Sequence, residues 1–557
     1  MSVFIILILL RLLDLIRAQP ITIYIDSSSN YTEPDGSKSL PYNSFAQAFD
    51  SSIRENIKFH EISVIFLASN VPYPLSMSLL SRGNISSNYS LLLTSDQGQY
   101  ISSLFDCSEY PRVELQGDGF GISANDLKVS LSFLNIYIIP GNAAFAFDIH
   151  SNNKLNLNYN NVCINCRREP NSPSLGILNV KNGGVSQVTL NKVSIFSNNQ
   201  NLIYRPMFFD LSGDSIVTIA DFYIDIQTTF DSANSISSLF YFLGSNSRTQ
   251  SIALNNFTFE GTFNLTAINN KNPETVILTF QNISYIFLEN INLSQITSDV
   301  GLTAFKLLEG STFRIENLYS SGMSCNKNAS CNLVSTTSRD EALDLYIRNL
   351  SLLDSSQIRL LWLASPVSNF FAQDILIDGS NDLKSSIISL MFYYNKSQHQ
   401  IINYPTIQNL VIRNSALSCL LFNVSFVDPA SNVFVDLAVP PYQLVLDNIT
   451  IKNNILDHSI IPPLLFRIAD VSLLIQNSLF TSNTWNHVTM FGDHTEVSNI
   501  YLVNNRFINE TFKNSNLIYV DYTSPPQDQF NKNMIYRLLL IQNCTFQNMN
   551  IDRKSVV

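Results

Sequence analysis

Positive charge is in short supply in this chain. Lys and Arg number 33 against 44 Asp and Glu, for a net charge of −11 at pH 7 and a pI near 5.0. Phosphate groups are bound by Lys and Arg, so the balance argues against nucleic acid and disfavours an anionic membrane surface. Charged residues of both signs make up only 14% of the chain and hydrophobic residues 45%, which excludes a disordered or solvating tail. Beyond the N-terminus, no apolar run approaches the ~18 residues of a spanning helix. Paired metal-ligand motifs are missing too. His60, His150, His399, His458, His487 and His494 are scattered, with no HxH or HxxxH spacing. No second CxxC follows Cys163-X-X-Cys166, which reads as a structural cysteine pair rather than a redox or zinc site. Tryptophan is limited to Trp362 and Trp485, and Trp362 lies in the apolar run IRLLWLAS, where a core position is expected.

What is present points to export. Residues 1–18 read as a signal peptide, with an apolar run from Val3 to Leu10 and a small residue, Ala18, ahead of Gln19-Pro20. The remainder is then expected to hold no membrane span. Seven cysteines is an odd number, which in an oxidising compartment leaves at least one thiol unpaired or shared between chains. Cys325 and Cys331 bracket the short polar loop CNKNASC and are the predicted disulfide; the connectivity of Cys107, Cys163, Cys166, Cys419 and Cys544 stays open. Asparagine is abundant, roughly one residue in nine, and heads fourteen Asn-X-Ser/Thr sequons.

From about residue 130 a short pattern recurs, apolar-x-Asn-apolar-x-apolar. It is centred on Asn135, Asn161, Lys192, Asp221, Asn256, Asn290, Asn317, Asn349, Asp374, Asn409, Asn448, Asn477, Asn504 and Asn543, at spacings of 25 to 39 residues. FQNISY at Asn282 and LFNVSF at Asn423 fall outside this phase. Within each copy the apolar parity slips by one. In SIALNNFTF, Ile252 and Leu254 are followed by Phe257 and Phe259; in QLVLDNITI, Leu444 and Leu446 are followed by Ile449 and Ile451. A straight strand keeps its inward residues at period two, so two strands meet at a sharp bend with both apolar sets on one interior. Asn suits the bend because it tolerates the left-handed conformation. Stacked coil on coil, the bends form an Asn ladder. Lys192 stands where the ladder wants Asn, and Ser320, Ser478 and Asn505 take apolar slots, so looser coils are expected there.

This bend-by-Asn repeat resembles the pectin-lyase-like superfamily of right-handed parallel β-helices, over roughly residues 20 to 550. The resemblance implies an all-β solenoid with an N-terminal capping helix. ITIYID would be its first strand, and Phe45, Phe49 and Ile53 fall on one helical face behind Asn43 or Ser44 as cap. The expected organisation is a cap and first coils over residues 19–125 and β-helix repeats over 126–557, cut short at the C-terminus. The chain is also similar to the β-helix regions of large protist cell-surface proteins, which implies a longer, membrane-anchored precursor.

Enzymes of the superfamily cut acidic polysaccharides, and their N-T-D, D-D, G-H-G and R-x-K motifs are missing here. The nearest approach to a calcium-dependent lyase site is Asp374, Asp378 and Asp382 with Arg413, where a solvated turn is the better reading. No catalytic residue, cofactor or metal site is therefore predicted. The favoured function is a non-enzymatic extracellular or cell-surface rod with a structural, adhesive or glycan-contacting role, its partners being glycans or proteins; the rival is a polysaccharide lyase or glycoside hydrolase. Glycans are expected at Asn30, Asn84, Asn88, Asn328, Asn395 and Asn509, off the bends. The bend sequons Asn256, Asn349, Asn448 and Asn543 are expected to be inaccessible.

Overall fold

The computed structural model describes residues 20–552, except 54–55, 57–60, 68–70, 79–87, 97–107, 140–143, 167–175, 204, 232–235, 266–273, 310–311, 326–328, 330, 337–342, 357, 381–387, 394–404, 418–421, 428–442, 458–463, 469–471, 494–498 and 521–538. The signal segment 1–18, Cys107, Cys419, Asn84, Asn328, Asn395, Asp382, His60, His399, His458 and His494 lie outside the described residues. The protein is 74% strand and 3% helix, and its long parallel sheet is consistent with a β-helix or solenoid. Two compact units divide the chain, residues 1–273 and 274–557.

Each strand pairs in parallel with the strand one coil away, so like residues stack on like. In the first unit Ile23, Val64, Leu93, Leu131, Tyr159, Leu190, Ile219 and Leu254 are successive register partners, all essentially buried. In the second unit Leu288, Ile315, Ile347, Ala372, Ile407, Leu446, Ile475 and Leu502 do the same. Burial of such columns is the main favourable term in a solenoid, where each coil covers only its neighbours.

The bends sit where the parity slips. Asn161, Lys192, Asp221, Asn256, Asn290, Asn317, Asn349, Asp374, Asn409, Asn448, Asn477, Asn504 and Asn543 all have φ between 50° and 58°. Asn135 does not. The left-handed residue in that coil is Phe133, at φ 55°, and Asn135 lies in the strand beyond it, paired with Cys163. The apolar residues Leu127, Val129 and Leu131 give way to Leu134, Ile136 and Ile138, so the slip falls at Ser132-Phe133 and overrides the local appeal of Asn. Asn282, out of phase in sequence, is a bend of a different column, at φ 56°.

A second bend column follows the first by five residues in the second unit, at Gln295, Gly322, Asp354, Gly379, Asn414, Asn453, Ser482, Asn509 and Asn548. Asn509 is therefore on a bend, contrary to expectation. Among the described residues, a third bend follows after five more residues at His487 and Asn514. There the chain turns every five residues around strands of three, such as Leu479–Thr481 and Thr484–Asn486.

After several of these bends the next residue points inward, and its N–H is turned away from the strand ladder. Polar side chains of the following coil satisfy it: Ser478 N–H donates to Asn505 Oδ1 at 2.9 Å, Asn454 N–H to Asn483 Oδ1 at 2.9 Å, and Val488 N–H to Ser515 Oγ at 3.0 Å. Ser478 and Asn505 are thus buried acceptors that close the coil; an orphaned buried N–H would cost about 1–3 kcal/mol.

Other expectations change on the strand geometry. Trp362 is 36% exposed, because it faces outward from a strand whose Leu361 and Leu363 are buried, and Arg359 lies 4.2 Å from its ring centroid. Trp485 is the buried tryptophan. Cys163 and Cys166 are not a pair: residues three apart on an extended strand face opposite sides. Cys163 is disulfide-bonded elsewhere, and Cys166 is a buried free thiol whose pKa burial pushes up to about 12. Cys325 and Cys331 are bonded, with Cα atoms 6.0 Å apart. Near the N-terminus, Phe45–Ala48 is one α-helical turn and Phe49–Ile53 a wider π turn. Ser44 caps the first by accepting from Gln47 N–H, while Phe45, Ala48 and Ile53 are buried.

Candidate functional site

The first unit carries a set of reactive side chains on an outward sheet face. Phe145–Cys166, Gly176–Asn182, Met207–Leu211 and Ile236–Leu243 are consecutive strands of that sheet. Phe147, Ile149, Leu178, Val180, Phe209 and Phe242 point inward and are buried, so alternation sends their neighbours outward. Two adjacent outward columns result. One runs Gly121, Asp148, Asn179, Phe208, Tyr241; the other runs Ser123, His150, Lys181, Asp210, Leu243.

Asp148 is the hub of this face. Its Oδ1 lies 2.7 Å from His150 Nε2 and accepts from Asn179 Nδ2 at 2.7 Å. Burial pushes its carboxyl up, but the hydrogen bond and charge of His150, the Asn179 amide and the Lys181 ammonium together hold it below the usual aspartate value. Asn179 is 4% exposed, and its Oδ1 is buried from solvent without a hydrogen-bond partner. One coil before Asp148 stands Gly121, where an added Cβ would make ordinary contact with the Asp148 backbone oxygen at 3.9 Å. Next to this polar set, the Arg205 guanidinium sits 3.6 Å from the Tyr241 ring centroid and 5.9 Å from that of Phe208. The two rings are 5.8 Å apart and tilted by 41°.

This face sets the Asp148 carboxylate and the His150 imidazole beside the half-buried ring of Phe208, while the Asn179 amide and Tyr241, under the Arg205 guanidinium, are buried.

A second outward face lies in the second unit, where Phe287, Arg314, Tyr346 and Phe371 are register partners. A depression of about 230 Å³ is lined there by Arg314, Glu316, Tyr346, Arg348, Phe371 and Gln373. Elsewhere the outward column of the first unit reads Ser63, Leu92, Ser130, Asn158, Thr189, Thr218 and Ala253, a solvated surface.

Positions weighed from sequence fall differently. Asp374 is a bend residue whose Oδ1 accepts from Asn409 Nδ2 at 2.7 Å. Asp378 is held by Arg413 Nε at 2.8 Å and Asn414 Nδ2 at 2.9 Å. Both carboxylates are engaged in holding coils together. Among the described residues no three His, Cys, Asp or Glu side chains converge as a metal site, and no helix is long and apolar enough to cross a membrane.

The bend asparagines form hydrogen-bonded runs. Asn317 Nδ2 donates to Asn290 Oδ1 at 3.0 Å, Asn349 to Asn317 at 2.8 Å, Asn448 to Asn409 at 2.8 Å and Asn504 to Asn477 at 3.2 Å. In the first unit, Asn256 Nδ2 donates to Asp221 Oδ1 at 2.8 Å. Asn161 and Lys192 lack this bond; instead their preceding residues make it, Asn191 Nδ2 to Asn160 Oδ1 at 2.9 Å. The inaccessibility expected of these amides is overturned. Asn256, Asn349, Asn448 and Asn543 are exposed, because a left-handed residue at a convex corner turns its side chain out of the coil.

The Asp148 set could have been found in sequence. Asp-X-His in FDIHS places both side chains on one strand face at period two. Its partners Asn179 and Lys181 could not, since their approach depends on loop lengths between coils. The chain matches no family model and no curated protein.

Proposed function

We propose that the protein is a non-enzymatic, extracellular or cell-surface right-handed parallel β-helix of the pectin-lyase-like kind that contacts neutral glycans through the face around Asp148. The helical turns at Phe45–Ile53 cap its first coil; burial of Phe45, Ala48 and Ile53 supports this. The observation that carries the functional reading is the union, on one sheet face, of the half-exposed Asp148–His150 pair with the half-buried ring of Phe208, which is backed by Tyr241. Asp148 and Asp210 alternate with His150 and Lys181, which favours uncharged hydroxyls over uronate carboxylates.

The test is binding of the secreted chain to a panel of neutral and uronic-acid polysaccharides. Phe208→Ala and Asp148→Asn should each weaken neutral-glycan binding about tenfold, the factor that 1.4 kcal/mol of lost contact gives. Asp374→Asn should leave binding unchanged. Affinity indifferent to Phe208 and Asp148 would remove this face from the function.

The rival reading, polysaccharide cleavage, draws on one observation, the 2.7 Å contact between His150 and Asp148. With or without Ca²⁺, the expected yield of new reducing or unsaturated ends is that of a heat-killed control. Turnover abolished by His150→Ala would establish the enzyme instead.

A further inference from the structure

We propose that the bend asparagines Asn256, Asn349 and Asn448 carry N-linked glycans while remaining rungs of the ladder. The idea rests on the export reading above and goes beyond it. Each of the three heads a sequon, Asn-Phe-Thr, Asn-Leu-Ser and Asn-Ile-Thr. Fold and modification ask for the same tripeptide here. The bend needs Asn in the left-handed conformation, the next slot needs an apolar residue turned inward, and the third faces out. Phe257, Leu350 and Ile449 fill the second slot and are buried; Thr258, Ser351 and Thr450 fill the third and are half-buried.

The chemistry of the amide removes the conflict between stacking and modification. A primary amide nitrogen carries two hydrogens, and the ladder takes one. Asn256 Nδ2 donates to Asp221 Oδ1, Asn349 to Asn317 Oδ1 and Asn448 to Asn409 Oδ1, each at 2.8 Å. In a stack of amides the donated hydrogen is the one opposite the carbonyl oxygen, which points along the stack, while the other is directed off the axis. A substituted amide prefers the trans arrangement, which keeps its remaining N–H opposite the oxygen. A sugar therefore replaces the off-axis hydrogen and leaves the ladder bond in place. In the transfer, Nδ2 loses one proton and bonds to C1 of the sugar. The bond from C1 to the pyrophosphate oxygen of a lipid-linked oligosaccharide breaks, and the lipid pyrophosphate leaves with the electron pair. Between Asn349 and Asn448 stand the rungs Asp374 and Asn409, a separation of three coils or roughly 14 Å at ~4.8 Å per coil. Two glycans fit side by side along that corner.

The experiment is secretion of the full chain from a eukaryotic host, with glycopeptide mass spectrometry at every sequon. Asn30 and Asn88, exposed and off the bends, serve as internal controls for passage through the secretory pathway. Occupancy at Asn256, Asn349 and Asn448 comparable to the controls is expected. Occupied controls with the three bend sites empty would overturn the proposal. Empty controls and empty bend sites would overturn the export reading, and this one with it. Hydrogen exchange adds the structural arm, using Ser351→Ala to remove the sequon without touching Asn349. Peptides spanning Asn317 and Asn349 should exchange within about twofold in the two chains. Exchange about tenfold faster in the glycosylated chain would show the ladder broken, and the claim of coexistence would fail.

Discussion

Raising the pH from 4 to 8 is expected to weaken the coils around Glu510 by about 3 kcal/mol. Glu510 follows the Asn509 bend and is fully buried. Burial pushes its carboxyl from 4.5 up to about 7, against the opposing effect of hydrogen bonds from the Trp485 indole and from the Asn483 backbone and amide. The folded state therefore holds the proton more tightly than the unfolded chain. Its contribution is complete below about 4.5 and is lost as pH rises through about 7. Exchange of the amides in Ser472–Gln476, Thr484–Asn486 and Thr511–Lys513, corrected for the intrinsic pH dependence, reads the effect locally. Glu510→Gln should flatten the profile, at a cost of about 1–3 kcal/mol at low pH, because an amide has a single accepting oxygen where the carboxyl serves Asn483 with one oxygen and the Trp485 indole with the other. A flat profile in the unsubstituted chain would mean that Glu510 does not change charge in this range.

Phe222→Ala should cost more, about 3–5 kcal/mol. Phe222 is fully buried, its ring centroid lies 5.7 Å from Phe257 and 5.8 Å from Phe240, and Val193 is its register partner one coil earlier. Strands fix the coils on both sides, so the site cannot collapse onto the void. Thr218→Ala, on the outward face of the same strand, should stay within about 0.5 kcal/mol. The opening free energy of Ser215–Asp231 by hydrogen exchange compares the two. A loss below about 1 kcal/mol for Phe222 would mean that the aromatic stack is not the interior of the coil.

Much of this architecture is legible in the chain, because bends and strands are local. The parity slip from Leu254 to Phe257 locates a corner without any knowledge of the neighbouring coil. Where slip and asparagine disagree, the slip is the better guide: Phe133 takes the bend although Asn135 offers a more tolerant residue, since moving the corner would turn Leu134 out of the core. Composition misleads at the inward slots after bends. Ser478 and Asn505 look like flaws in an apolar column until the orphaned N–H groups of the preceding coil are counted. The same holds for Glu510. Trp362 misleads because an apolar run on a strand has two faces, and hydrophobicity alone does not say which is covered. The candidate site was the least legible part. Asp148 and His150 are two residues apart, but Asn179, Phe208 and Tyr241 reach them only through stacking of whole coils.

Stacking in parallel register is the claim on which all of this rests, and paired nitroxide labels on outward positions test it directly. Thr189, Thr218 and Ala253 are successive register partners, although they are far apart in sequence. Labels at 189 and 218 should show the strong broadening of spins one strand spacing apart, ~4.8 Å, and labels at 189 and 253 the weaker broadening of roughly 10 Å. Narrow, non-interacting spectra from both pairs would contradict the stacked coil, and with it the bends, the ladder and the proposed binding face.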